Sequence, residues 1–132
     1  MFLLDTDTLI YTLKGNTTVV QNLEKHQQDL LRISVISLME LYYGAYKSRK
    51  KTANLSKVRR LEDAFEVLPV DFSISETFGM LKSDLESRGT PLDDFDLAIA
   101  ASALSFNLTL VTNNEKHFSR IEGLSLVNWT SS

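Results

Sequence analysis

Five short apolar runs, separated by segments of helical periodicity, set the narrowest limit on what this chain can fold into. They are "FLL" at 2–4, "LRISV" at 31–35, "VLPV" at 67–70, "LTLVT" at 108–112 and "LSLVNW" at 124–129. Runs this short and continuous suit strands buried on both faces. Alternation with helices predicts an α/β domain with a mainly parallel central sheet of about five short strands and helices on both faces. Pro69 cannot donate to a ladder, which places 67–70 at a sheet edge. The helices carry their own signals. Asp5 or Thr6 can cap "DTDTLIYTLKG", where Leu9, Ile10 and Leu13 share a face and Gly15 stops the helix. A second helix is expected over 17–27, and Ser37 can cap a third, "LMELYYGAYKS". Further helices are expected over 54–66, 73–87 and 94–105, with a short turn-helix after residue 112.

A chain of 132 residues is the size of one domain, and no linker, repeat or low-complexity segment divides it, so 1–132 is expected to be a single unit. Cysteine is absent, which removes disulfides, thiolate metal sites and cysteine nucleophiles. No apolar run approaches the roughly 20 residues that cross a bilayer, and "MFLLDTD" is too short and too acidic for a signal peptide. A cytoplasmic protein with no membrane contact is the expectation. The net charge of −3 argues against broad, non-specific nucleic-acid binding. The average conceals an asymmetry: half of the 14 basic residues lie in "KSRKKTANLSKVRR" at 47–60, with no acid among them. That stretch is either a solvated helix face or a surface that follows phosphates.

The acids are more informative. "PLDDFDLAIAASAL" at 91–104 puts three aspartates into four positions ahead of an almost wholly apolar helix. Asp93 and Asp94 are placed to cap that helix or fill its first turn. Asp96 is not, because its helical neighbours are Leu92, Ile99, Ala100 and Ala103. Glu40 repeats the pattern, with Ile36, Tyr43 and Gly44 along its stripe and Leu41 beside it. Asp5 follows the first strand, where open α/β sheets bind ligands, although taken alone it is better explained as a helix cap; Asp7 suits the first helical turn. Three carboxylates in apolar surroundings cannot all stay ionised without a counter-charge. No lysine or arginine lies within a helical turn of Asp5 or Asp96, and the nearest to Glu40 is Lys47, two turns away. A hard divalent cation answers this, Mg²⁺ first and Mn²⁺ as the alternative. Zinc does not fit, since His26 and His117 are isolated. The absence of a G-x-S-x-G elbow and of a phosphate-cradling glycine loop leaves serine hydrolase and P-loop chemistry unsupported.

Four segments also carry a resemblance. "FLLDTDTLI", "SLMELYYGA" at 37–45, "RGTPLDDFDLAIAASAL" at 88–104 and "LVTNNEKHF" at 110–118 resemble, in order and spacing, the PIN-domain ribonucleases. More narrowly they resemble the VapC-type toxins of bacterial toxin–antitoxin pairs, through to the closing "RIEGLSLVNW". The resemblance implies a PIN-like fold and a Mg²⁺-dependent endoribonuclease acting on RNA, with transfer RNA one candidate. Asp5, Glu40 and Asp96 match the family's acidic residues, Asp5 and Asp96 as metal ligands and Glu40 as the residue that orients water. His117 stands where the family often has a fourth acid, and Glu115 or Asp94 could compensate. Thr112, Asn113 and Asn114 are candidates for supporting contacts. A small antitoxin is the implied partner, seated around helices 17–27 and 37–48. A two-fold homodimer is expected from Tyr42, Tyr43 and Phe106. Two other readings remain open: a phosphoacceptor domain using Asp71, and a non-catalytic interaction module whose acids only cap helices.

Overall fold

A computed structural model describes residues 1–131. The elements follow the expected order: β1 (Phe2–Leu4), α1 (Thr6–Leu13), α2 (Thr17–Lys25), β2 (Leu31–Ser34), α3 (Val35–Lys47) and α4 (Lys51–Ala64). After them come β3 (Glu66–Leu68), α5 (Phe72–Ser87), α6 (Asp94–Ser105), β4 (Thr109–Val111), α7 (Glu115–Phe118) and β5 (Leu126–Val127). The five strands form one sheet in the order β3-β2-β1-β4-β5, and every pairing is parallel.

Strand alternation divides the apolar residues between two cores. Leu3 and Leu110 are paired neighbours and point to one face, where α5, α6 and α7 bury Leu85, Leu97, Ala101 and Phe118. The next residues along, Leu4, Ile33 and Val111, point to the other face and meet Leu9, Leu41 and Leu61 from α1, α3 and α4. The central strands β1 and β4 are therefore covered on both sides, which is why their sequences read as short apolar runs.

Element edges differ from the sequence expectation in four places. Ser34, not Ser37, caps α3: its Oγ accepts from the Ile36 N–H at 3.0 Å. Ser37 is fully buried inside the helix. Helix α4 starts at Lys51, three residues early, on a polar turn that has no side-chain cap. Strand β3 does lie at the edge, but it ends at Leu68, before Pro69. The last strand shrinks to Leu126–Val127, after which Trp129 buries against Leu4 and Leu9.

Connectivity decides where a site can form. β1 is central, its chain leaving towards β2 on one side while β4 occupies the other, and the crevice at this reversal lies at the carboxyl ends of β1 and β4. Helix α6 runs back against β4, so its N-terminus arrives at that same edge.

Ser34→Ala should destabilise the fold by about 1 kcal/mol in urea denaturation, with an unchanged m-value. If Ser37 were the cap, the loss at Ser34 would stay within about 0.5 kcal/mol.

Candidate active site

Asp5 is the first residue past β1, and the fold uses it three ways. Its backbone N–H donates to the Val111 carbonyl at 3.0 Å, its carbonyl accepts from the Leu9 N–H, and its Oδ1 accepts from the Thr8 N–H at 2.9 Å. The cap and the candidate ligand are thus one residue, with one oxygen committed to the helix. Asp5 is only 4% exposed. Burial raises its pKa, while the Thr112 hydroxyl and the Thr8 N–H pull it back by bonding to the charged form. Thr112 is held for that contact by the Asn114 N–H, which donates to its Oγ1 at 2.9 Å.

Glu40 reaches the same edge from α3. Thr6 Oγ1 lies 2.7 Å from Glu40 Oε1 and 2.9 Å from Ser37 Oγ. With one proton to give, Thr6 donates to the carboxylate and accepts from Ser37. The buried Ser37 is therefore a support for Glu40 through Thr6.

Asp96 enters from the opposite face of the sheet, in the first turn of α6. It is half-buried, and its pKa is raised to about 6, first by desolvation and then by the charges of Asp93, Glu40, Asp5 and Asp7. Glu40 and Asp5 thus lie near enough for their charges to act on Asp96. Two further acids belong with it, and both were assigned to helix ends by sequence reasoning. Asp93 does cap α6, its Oδ1 accepting from the Phe95 N–H at 3.3 Å, and Asp7 lies exposed in the first turn of α1. Nothing local in the sequence marks them as neighbours of Asp96, since only the sheet brings the two helix starts together.

Other candidates fall away. Asp94 is exposed and pairs with Lys82 at 3.0 Å, and it is not among the leading causes of the Asp96 shift. Glu115 and His117 are exposed on α7, and neither is among the leading causes of the Asp5 or Asp96 shifts. His26 stacks on Trp129, with ring centroids 4.8 Å apart, and its Nδ1 lies 2.7 Å from Asp29. Asn113 donates to the Tyr11 hydroxyl at 3.1 Å, while its Oδ1 is buried without a partner. Asp71 caps α5, accepting from the Ile74 N–H and the Ser73 hydroxyl, and these bonds hold its carboxyl below the usual range. A solvent-exposed cap beyond an edge strand is a poor phosphoacceptor.

The donor set fits a hard divalent cation. It consists of carboxylate and hydroxyl oxygens, and among the described residues no lysine or arginine is ion-paired to Asp5, Asp7, Glu40, Asp93 or Asp96. No group of three acidic or histidine side chains forms a ready-made metal cage among the described residues. Mg²⁺ rarely uses one, keeping several waters and taking one or two carboxylates.

Comparison with known proteins agrees with this geometry. The PIN domain family model matches residues 2–124. The chain belongs to the VapC-type PIN-domain family. It is 35% identical to the tRNA(fMet)-specific endonuclease VapC of Shigella flexneri, across 98% of both chains. It is 41% identical to ribonuclease VapC2 of Rickettsia felis, again across 98% of both. The crystal structure of Rickettsia felis VapBC2 bound to a promoter DNA fragment superposes with a TM-score of 0.92 at 37% identity, covering 97% of this chain and 98% of that one.

The Asp96 shift carries a pH signature. A carboxyl whose pKa is raised on folding binds its proton more tightly in the folded state, so its stabilisation is complete below the unfolded value of 3.8 and lost as pH rises through about 6. In metal-free buffer, the Tm of Asp96→Asn relative to the parent should therefore climb between about pH 4 and pH 7. A difference that stays flat across that window would mean that Asp96 is neither desolvated nor pressed by the neighbouring carboxylates.

Proposed function

We propose that this chain is a Mg²⁺-dependent endoribonuclease, the toxin of a toxin–antitoxin pair, in which Asp5, Glu40 and Asp96 are the catalytic carboxylates. The observation that carries this is Asp96, half-buried, ion-paired to no lysine or arginine among the described residues, and raised to about 6 first by desolvation and then by the charges of Asp93, Glu40, Asp5 and Asp7. Perturbation of this kind is how catalytic acids differ from structural caps.

Asp5 and Asp96 would hold the ion, from the strand end and from the helix start, and a Mg²⁺ held there would supply charge neutralisation at the phosphoryl oxygens and a lowered pKa for the attacking water. Glu40 orients that water, and its own carboxylate is aimed by the Thr6 hydroxyl and, behind it, by Ser37. Thr112 does the same for Asp5. The carboxylates by themselves would repel RNA phosphates, so RNA binding should depend on the cation. Transfer RNA is the substrate class to test first, given the activity printed for the Shigella flexneri relative.

The antitoxin fits a groove between α1, α3 and α4, which is lined by Ile10, Leu13, Leu41 and Val58 and rimmed by Lys14 and Lys57. This site shifts the expected surface away from α2, whose Val19 is buried. Glu40 lines its inner end, so a segment lying there reaches the carboxylates. Within the described residues no helix is long and apolar enough to cross a membrane, and a cytoplasmic setting goes with an RNA target.

A two-fold dimer is also part of this reading; of the three aromatics the sequence suggested, only Tyr43 stands exposed. Tyr42 packs on the α1–α4 core and donates to Glu62, and Phe106 packs on the α6 side. The large exposed apolar groups at the start of α5 are Val70 and Phe72, the latter 95% exposed. Sedimentation should give a dimer at micromolar concentration and a monomer for Phe72→Asp. A parent that sediments as a monomer removes the dimer.

The decisive comparison is within one stretch. With Mg²⁺, Asp96→Asn should lower RNA cleavage by more than about a hundredfold and abolish growth arrest in cells lacking the partner. Asp93→Asn should keep most activity, because asparagine still caps a helix. Equal losses in the two would assign the chemistry to the wrong aspartate.

A further inference from the structure

Three large apolar side chains stand in solvent beside the carboxylates: Met39 is 50%, Tyr43 66% and Phe95 44% exposed. They come from two helices, α3 and α6, and together they line a cleft of about 620 Å³ whose other walls include Thr6, Asp7 and Glu40. That volume is in the range of small-molecule sites. Among the described residues the two rings do not pair with each other or with a third aromatic. Exposed aromatics are costly to leave in water, and these are continuous with the residues assigned to phosphodiester hydrolysis.

Charge selects what can lie there. Asp7 and Glu40 repel a phosphate in the cleft, whereas a neutral, flat, polarisable ring is accepted. The phosphate has its own place one turn further on. Lys47 Nζ sits 5.3 Å from the centroid of the Tyr43 ring and makes no ion pair among the described residues. Glu40, Tyr43 and Lys47 follow one another at i, i+3 and i+7, a single stripe along α3 spanning about 10 Å. The basic run continues from it through Arg49, Lys50 and Lys51, all exposed.

We infer that this cleft is a nucleobase-stacking site: Tyr43 and Phe95, with Met39 beneath, hold one unpaired base of the RNA next to the scissile phosphate, and Lys47 holds the phosphate beyond it. The inference rests on the ribonuclease reading above and narrows its substrate to single-stranded or looped RNA, because a base in a duplex has no free face to offer. Stacking of this kind is tolerant of base identity, so Tyr43 and Phe95 set where on a strand the enzyme acts and leave sequence to other contacts.

The test is binding of a fluorescent ten-nucleotide single-stranded RNA to the full chain with Mg²⁺, on a Glu40→Gln background, which keeps both proposed metal ligands while the strand stays intact. Adding Tyr43→Ala should weaken binding about five- to a hundredfold, while Tyr43→Phe, which keeps the ring, should stay within about twofold. Lys47→Gln should flatten the dependence of log Kd on log salt by about 0.7, and Tyr43→Ala should leave that slope alone. A single abasic position moved along the RNA should at one place match the Tyr43→Ala loss and add nothing to it. Unchanged binding by folded Tyr43→Ala, or a loss that sedimentation traces to a broken dimer, overturns the inference; in the second case the cleft is a protein interface. Cleavage by the parent protein is scored separately. A parent that cleaves RNA while Tyr43→Ala binds normally sinks the stacking site alone, and a parent that neither binds nor cleaves sinks both readings.

Discussion

The backbone N–H of Asp5 extends β1's pairing with β4, while its side chain starts α1 by accepting from Thr8. One residue thus ends the central strand, sets the direction in which the chain leaves the sheet, and leaves a carboxylate at the carboxyl edge. The rest of the site is arranged around that constraint. A buried carboxylate needs hydrogen bonds to its charged form, and here they come from the Thr8 N–H and the Thr112 hydroxyl. Thr112 is the residue after β4, so the support for Asp5 is supplied by the neighbouring strand in register with it.

The two cores meet at this edge. Glu40 is carried by α3, which packs on one face of the sheet through Leu38, Leu41 and Ala45. Asp96 is carried by α6, which packs on the other through Leu97, Ala100, Ala101 and Ala103. Small residues let α6 approach the sheet closely, and its N-terminal turn then projects over the strand ends. Neither face alone could hold the site. The geometry of the carboxylates therefore depends on both cores being formed, which ties the chemistry to the fold as a whole.

The central strands β1 and β4 were legible because burial on both faces leaves them few polar positions to confuse the pattern. Glu40 and Asp96 were legible for the opposite reason, as charges on stripes that should be apolar. What the sequence concealed was of two kinds. Val35 is β-branched and reads as strand, so the start of α3 was placed at Ser37 when the true cap is Ser34. Lys51, Thr52 and Ala53 carry no apolar signal, which hid the first turn of α4. The second kind is tertiary. Asp7 and Asp93 look like ordinary first-turn acids, and only the chain reversal at β1 and β4 sets them beside Asp96. Tyr42 and Tyr43 are adjacent and chemically alike, yet a 100° turn of the helix packs one and exposes the other.

Two helix N-termini, those of α1 and α6, converge on the acids, with Asp5 and Asp7 at one and Asp93, Asp94 and Asp96 at the other. The positive end of a helix dipole favours a carboxylate by about 0.3–1 kcal/mol where it is exposed. That is enough to account for Asp93 and Asp94, which are exposed and each have a further partner in the Phe95 N–H or Lys82. It is not enough for Asp96. Its pKa still rises to about 6, so desolvation and the facing acids outweigh whatever the helix end supplies. Fixed protein dipoles hold the carboxylates in place without neutralising them. The remaining charge has no ion-pair partner among the described residues, which is the condition the proposed cation would meet.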